Sequence, residues 1–269
     1  MLPLQDTEER ISMSKIKSAF ENKKAFIPFI TCGDPSLDMT KKLVKAMAEN
    51  GADLIELGIP FSDPTAEGPV IQAASLRALT AGTTTDKIFD MVREIRKEVS
   101  VPMVFMTYAN VVYSYGIEKF VKTAAAIGMD GLILPDVPFE EKEEFAPTCR
   151  QYGLDFISLI APTSNDRIAM IAKKAEGFVY CVSSLGVTGV RTNITTDVGA
   201  MVEQVKKVNP TIPCAIGFGI STPEQAGNMA KYADGVIVGS AIVRRIGEFG
   251  DKAEIPVAQY VSEMKNALK

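Results

Sequence analysis

A short run of apolar residues followed by an amphipathic stretch recurs along the chain from residue 25 to residue 238, and no other feature restricts its fold as strongly. Eight such runs occur, at 25–30, 52–57, 102–106, 131–134, 155–160, 178–182, 212–216 and 235–238. Between them, apolar residues return every three or four positions, as in Ile117, Phe120, Val121, Ala124 and Ile127, a stripe that stops at Gly128. A second stripe, Ile168, Ile171, Ala172 and Ala175, follows Asn165 and Asp166 as candidate N-caps and ends before Gly177. Strands that alternate with helices are joined by crossovers and so build a parallel sheet. The runs are continuously apolar, as strands are when both faces are covered.

Two closures compete, an open doubly wound sheet and a closed barrel. Eight units in 269 residues suit a (β/α)8 barrel, whose usual length is about 250 residues. The Gly-x-Gly-x-x-Gly turn expected after the first strand of a dinucleotide-binding sheet is missing from Ile30-Thr31-Cys32-Gly33-Asp34-Pro35. The middle of the chain, Gly131-Leu132-Ile133-Leu134-Pro135, reads as buried strand and not as a linker. The expectation is therefore one α/β domain over residues 1–269, a single barrel. Three pieces are added to the bare repeat: an N-terminal helix with Met13, Ile16 and Phe20 on one face, a helix over about 85–99, and a short one opening near Ser240.

The formal charge of −4 and a pI near 5.2 leave no basic stripe for nucleic acid or an anionic membrane surface. Residues 1–14 carry Asp6, Glu8, Glu9 and Arg10 in place of an apolar signal core, and no run approaches the roughly 18 apolar residues of a membrane span. A cytoplasmic protein is expected. Cys32, Cys149, Cys181 and Cys214 are widely spaced, form no Cys-x-x-Cys pair, and read as reduced core thiols. Histidine is absent, which removes the commonest general base and metal ligand. No metal site is expected, and acid–base chemistry falls to carboxylates, Lys, Tyr or Cys.

In a parallel barrel the reactive groups lie just after each strand. In Leu54-Ile55-Glu56-Leu57-Gly58-Ile59-Pro60-Phe61-Ser62-Asp63-Pro64 a carboxylate interrupts an apolar strand, where Glu is rare unless paired or functional. Glu56 is the prime catalytic candidate; the alternative is a structural Glu satisfied by backbone donors or a lysine. Glu67 reads in two ways, as an acid favoured by the dipole of a helix over 70–81, or as a second carboxylate dividing acid and base duties with the first. Gly217-Phe218-Gly219-Ile220-Ser221 and Val238-Gly239-Ser240-Ala241-Ile242 follow the seventh and eighth runs. They are either simple turns or the phosphate site that such barrels place there, with a helix N-terminus at Ser240 aimed at the anion. The connection 183–196 is long, polar and aperiodic, and is expected to be a lid over the ligand.

These motifs resemble the tryptophan synthase α-subunit family over nearly the whole length. The specific match is the segment from Leu54 to Pro64 completed by Ala66-Glu67-Gly68-Pro69; Ala25-Phe26-Ile27-Pro28-Phe29-Ile30-Thr31-Cys32-Gly33-Asp34-Pro35, Met106-Thr107-Tyr108-Ala109-Asn110, Gly186-Val187-Thr188-Gly189 and Gly239-Ser240-Ala241-Ile242-Val243 support it. The resemblance implies retro-aldol cleavage of indole-3-glycerol phosphate to indole and glyceraldehyde 3-phosphate. It implies that Glu56 is the general acid/base and that Glu67, where the family more often has Asp, faces the indole N–H. Tyr180 would stand near Glu56; Phe26, Tyr108 and Phe218 would surround the indole and glycerol chain. Gly189, Gly219, Gly239 and Ser240 would bind phosphate, and Thr188 would be the lid residue that contacts the second carboxylate.

The implied partner is the tryptophan synthase β subunit, in an α2β2 assembly, met through Pro60, Asp63 and Asn110. Pyridoxal phosphate is expected in that partner and no cofactor in this chain. Thr65 stands in the same loop where the family usually has an apolar residue. Two other functions stay open: another phosphate-binding barrel enzyme, such as an isomerase, an epimerase or an autonomous indole-glycerol-phosphate lyase, and a catalytically weak subunit that only activates its partner.

Overall fold

The computed structural model of the chain describes residues 15–162, 167–182, 198–217 and 219–268. At its centre lie parallel strands: β1 (Ala25–Thr31), β2 (Ile55–Gly58), β3 (Met103–Met106), β4 (Gly131–Ile133), β5 (Asp155–Phe156), β6 (Ser158–Ile160), β7 (Val179–Val182), β8 (Cys214–Gly217) and β9 (Gly235–Val238). Their spatial order, β5-β4-β3-β2-β1-β9-β8-β7-β6, begins and ends on two segments separated only by Ile157. β5 pairs back with β4 and β6 forward with β7, so the expected fifth strand changes partners at Ile157 and completes the ring. Side-chain alternation passes through the change intact, with Phe156 and Ile160 outward and Ile157 inward. The barrel expected from the eight runs is what forms, and the open sheet is not.

Outside the strands lie α1 (Lys15–Ser18), α2 (Leu37–Glu49), α3 (Pro69–Thr80), α4 (Thr85–Ile95), α5 (Ala109–Tyr115), α6 (Ile117–Ala126), α7 (Ala146–Tyr152), α8 (Ile168–Lys173), α9 (Val198–Val208), α10 (Pro223–Ala230), α11 (Ser240–Phe249) and α12 (Glu254–Asn266). Local chemistry sets several of their ends. The Ser36 and Thr84 hydroxyls accept the Met39 and Lys87 N–H groups at the starts of α2 and α4, and Thr222 with Gln225 forms a capping box on α10. The α6 stripe ends as expected, with Gly128 at φ +88°. α8 starts at Ile168; its candidate caps Asn165 and Asp166 lie outside the described residues. The helix expected to be short at Ser240 runs for 10 residues.

Each strand divides two cores. Ile27, Phe29, Val104, Ile133 and Ile237 fill the barrel, while Phe26, Ile30, Ile55, Leu57 and Phe105 meet the helices. α1 closes the N-terminal end: Ile16 is fully buried there, and Phe20 packs tilted against Phe178 with centroids 5.7 Å apart. The four cysteines are buried free thiols. Among the described residues no helix is long and apolar enough to cross a membrane.

Just beyond α4, Arg96 donates from Nε to Gly128 O at 2.9 Å and from Nη2 to Asp130 Oδ2 at 2.7 Å; the same Asp130 oxygen accepts the Met103 N–H at 2.9 Å. One ion pair thus ties α4, the end of α6 and the entrances of β3 and β4. Removing Asp130 takes the carboxylate from a largely buried guanidinium and the acceptor from the Met103 N–H. Asp130→Ala is expected to lower unfolding stability by about 3 kcal/mol, read as a lower urea midpoint with an unchanged m-value. A loss below about 1 kcal/mol would contradict this role for the pair.

Candidate active site

Alternation along β2 turns Ile55 and Leu57 out to the helices and Glu56 into the barrel, on the layer of its register partners Phe29 and Val104. Glu56 is 1% exposed, and among the described residues neither of its carboxyl oxygens has a hydrogen-bond partner. The structural alternative, a Glu satisfied by backbone donors or a lysine, is therefore not what the fold builds. Burial disfavours the charged form and pushes the Glu56 carboxyl up to about 8, with the charge of Glu67 adding to the effect.

Glu56 lines a pocket at the C-terminal ends of the strands. Glu67 forms part of the same wall. It precedes Gly68, the N-cap of α3, and so stands one residue outside that helix. Partial burial pushes its carboxyl up to about 7; a hydrogen bond from the Tyr108 hydroxyl works the other way, and the charge of Asp136 adds to the rise. α3 is held to the loop after β1 by a two-point ion pair, Arg77 Nε and Nη2 each 2.7 Å from an Asp34 oxygen.

Tyr180 on β7 points into the barrel and lines the cavity. Burial raises its phenol well above the usual range, with Glu56 as a second cause. Gly217 makes room for it, since a Cβ there would stand 2.6 Å from the Tyr180 hydroxyl. Gly219, Gly239 and Ser240 form a further part of the wall. α11 begins at Ser240 with no side-chain cap; the Ile242 and Val243 N–H groups turn back to Gly239 O, and the positive end of the helix opens on the cavity.

Other expectations fall differently. Phe26 is not at the cavity: it is the second residue of β1, at the end away from the mouth, and faces the helices. Phe29, three positions on, faces inward and lines the cavity in its place. A strand covered on both faces carries no polar alternation, so nothing in the local pattern marks which phenylalanine turns in. Tyr108 is buried behind the cavity wall, its hydroxyl accepting the Ala66 N–H at 2.9 Å and its ring 5.2 Å from Phe61. Pro60 and Asn110 line a separate groove beside the mouth, and Asp63 is exposed on the same loop as Pro60. Thr188, Gly189 and the rest of the expected lid, 183–196, lie outside the described residues, as does Phe218. Asp136, which acts on Glu67, was missed; it stands in Leu134-Pro135-Asp136, an exposed turn with nothing local to mark it.

A closed parallel barrel that pairs two carboxyl groups of raised pKa with a helix N-terminus at one mouth is an acid–base enzyme for a small anionic substrate. The sequence profile of the family "Tryptophan synthase alpha chain" matches residues 14–269. The tryptophan synthase alpha chain of Lacticaseibacillus casei is 48% identical over 256 residues, covering 95% of this chain and 96% of that protein. The solved tryptophan synthase subunit alpha of Legionella pneumophila superposes with a TM-score of 0.86 at 37% identity, covering 96% of this chain and 99% of that one. A chain from the tryptophan synthase α2β2 complex of Pyrococcus furiosus gives 0.84 at 37% identity, covering 91% and 98%. The chain belongs to the tryptophan synthase alpha chain family.

The raised Glu56 carboxyl carries a cost to stability that has a definite sign. Between about 4.5 and about 8 the unfolded chain ionises Glu56 and the folded chain does not, so this group's contribution to stability is full at low pH and is lost as pH rises. Glu56→Gln is expected to be more stable than the parent at pH 8, with the gain vanishing near pH 4. Paired denaturant titrations check it, and a gain independent of pH would contradict the burial argument.

Proposed function

We infer that this lyase, which cleaves indole-3-glycerol phosphate to indole and glyceraldehyde 3-phosphate in tryptophan biosynthesis, uses Glu56 as its proton carrier and Glu67 as the counter-charge. The observation that carries the reading is the buried Glu56 carboxyl, without a hydrogen-bond partner among the described residues, in one cavity with a second acid. Neutral Glu56 gives its proton to indole C3, leaving positive charge on the ring nitrogen. Ionised Glu67 accepts a hydrogen bond from that N–H and balances the charge. The Glu56 carboxylate then takes the proton of the hydroxyl on the adjoining glycerol carbon. The C–C bond breaks, its electron pair restores the indole ring, and the hydroxyl carbon becomes the aldehyde. Glu56 ends with one proton, as it began.

Gly219, Gly239 and the start of α11 suit the phosphate, whose binding energy orients the reacting atoms at the far end of the ligand. Phe29 and Tyr180 supply apolar and aromatic surface for the indole. The family needs no cofactor, and pyridoxal phosphate belongs to the β subunit. We take the chain to act as one barrel unit in the cytoplasm and to pass indole to a β subunit seated on the face that carries Pro60, Asp63 and Asn110; the α2β2 relative supports this assembly.

With β subunit present, Glu56→Gln is expected to lower indole formation by about 10²-fold or more, the effect of losing a general acid/base. Near-parental turnover would overturn the assignment. Because Glu56 must start protonated and Glu67 ionised, kcat/KM is expected to be bell-shaped, with an acid limb near 7 and an alkaline limb near 8. Glu67→Gln should abolish the acid limb. For the partner face, Asp63→Lys is expected to raise the β-subunit concentration needed for half-maximal stimulation by about 10-fold. Indole release by the chain alone should stay parental; unchanged stimulation would move the interface elsewhere.

A further inference from the structure

The loop leaving β4 carries Asp136, an exposed residue outside the cavity wall whose two carboxylate oxygens each lie 3.1 Å from the Ala109 nitrogen. Ala109 opens α5, and the residue at its N-cap, Tyr108, offers no side-chain acceptor to the helix. Asp136 therefore does from a neighbouring loop what a capping residue does locally, and adds a negative charge where the helix dipole favours one. Tyr108 is the residue so clamped. Its hydroxyl accepts the Ala66 N–H and donates to Glu67, while its ring rests on Phe61. The groups that face Glu67 electrostatically come from three elements: Glu56 on β2, Tyr108 at the start of α5, and Asp136 after β4. Each of them is an acid.

We propose that Asp136 is a positioning residue for the cleavage: it clamps the backbone that holds the Tyr108 hydroxyl against Glu67, and faces that carboxylate with a second negative charge. The proposal rests on the reading of Glu67 as the counter-charge to the indole nitrogen. Two effects separate. The clamp fixes where the Glu67 carboxylate sits in the transition state, so losing it lowers kcat. The charge opposes ionisation of Glu67, so losing it makes the ionised form available at lower pH.

Asp136→Asn keeps an oxygen for the Ala109 N–H and removes the charge; Asp136→Ala removes both. Indole formation by each variant is measured with β subunit across pH 5.5 to 9, beside Glu67→Gln. Asp136→Asn is expected to keep kcat within about 3-fold at its optimum and to move the acid limb of kcat/KM down by roughly half a pH unit. Asp136→Ala is expected to lose about 10-fold in kcat with little change in KM, as removal of a transition-state interaction does. A purely structural role would lower activity evenly at all pH values and leave the limb in place. An unmoved limb in Asp136→Asn, or parental kcat in Asp136→Ala, overturns the proposal. An acid limb that persists in Glu67→Gln shows instead that the role given to Glu67 is wrong.

Discussion

A carboxyl group held inside a closed barrel, with no hydrogen-bond partner for either oxygen among the described residues, is the constraint on which the rest of this site depends. Water removed from Glu56 is replaced by Phe29, Val104 and the other inward side chains of the strands, which cannot solvate a charge. The neutral form is favoured, and a neutral carboxyl near physiological pH is what a proton donor to carbon must be. The closed ring matters here, because an open sheet would leave one side of the strand end in water and the carboxyl in its ordinary range.

The two ends of the barrel treat polar groups in opposite ways. At the N-terminal end, Asp130 is matched by Arg96 and the Met103 N–H, and Asp53 by Lys23, Lys265 and the Phe26 N–H. These carboxylates are surrounded by donors and serve the fold. At the C-terminal end Glu56 has no donor among the described residues, and Glu67 has the Tyr108 hydroxyl with an acid behind it. Stability concentrates at one end so that the other can keep groups in states that water would not allow.

Much of the site was legible because its residues break a local rule. Glu56 interrupts an apolar strand, and the glycines before Ser240 sit where a barrel brings backbone to an anion. What was not legible obeys the local rules. Phe26 and Phe29 are equally good strand residues; only the handing of β1 between two cores separates the one at the helices from the one at the cavity. Tyr108 reads as a wall residue by its place after β3, yet its hydroxyl reaches sideways to the loop after β2 and holds Glu67 from behind. Asp136 is an ordinary turn acid whose partner lies 27 residues away.

The chain's own periodicity determined the alternation of strands and helices and where the eight apolar runs fall, because apolar spacing acts over a few residues. It also singled out Glu56, since an acid in an apolar strand is conspicuous without knowing its neighbours. Which face of each strand turns inward, how the fifth strand changes partners at Ile157, and what surrounds each acid were decided only in three dimensions. Ring closure sets all strand orientations together, and electrostatic surroundings are sums over residues that only the closed ring brings within reach.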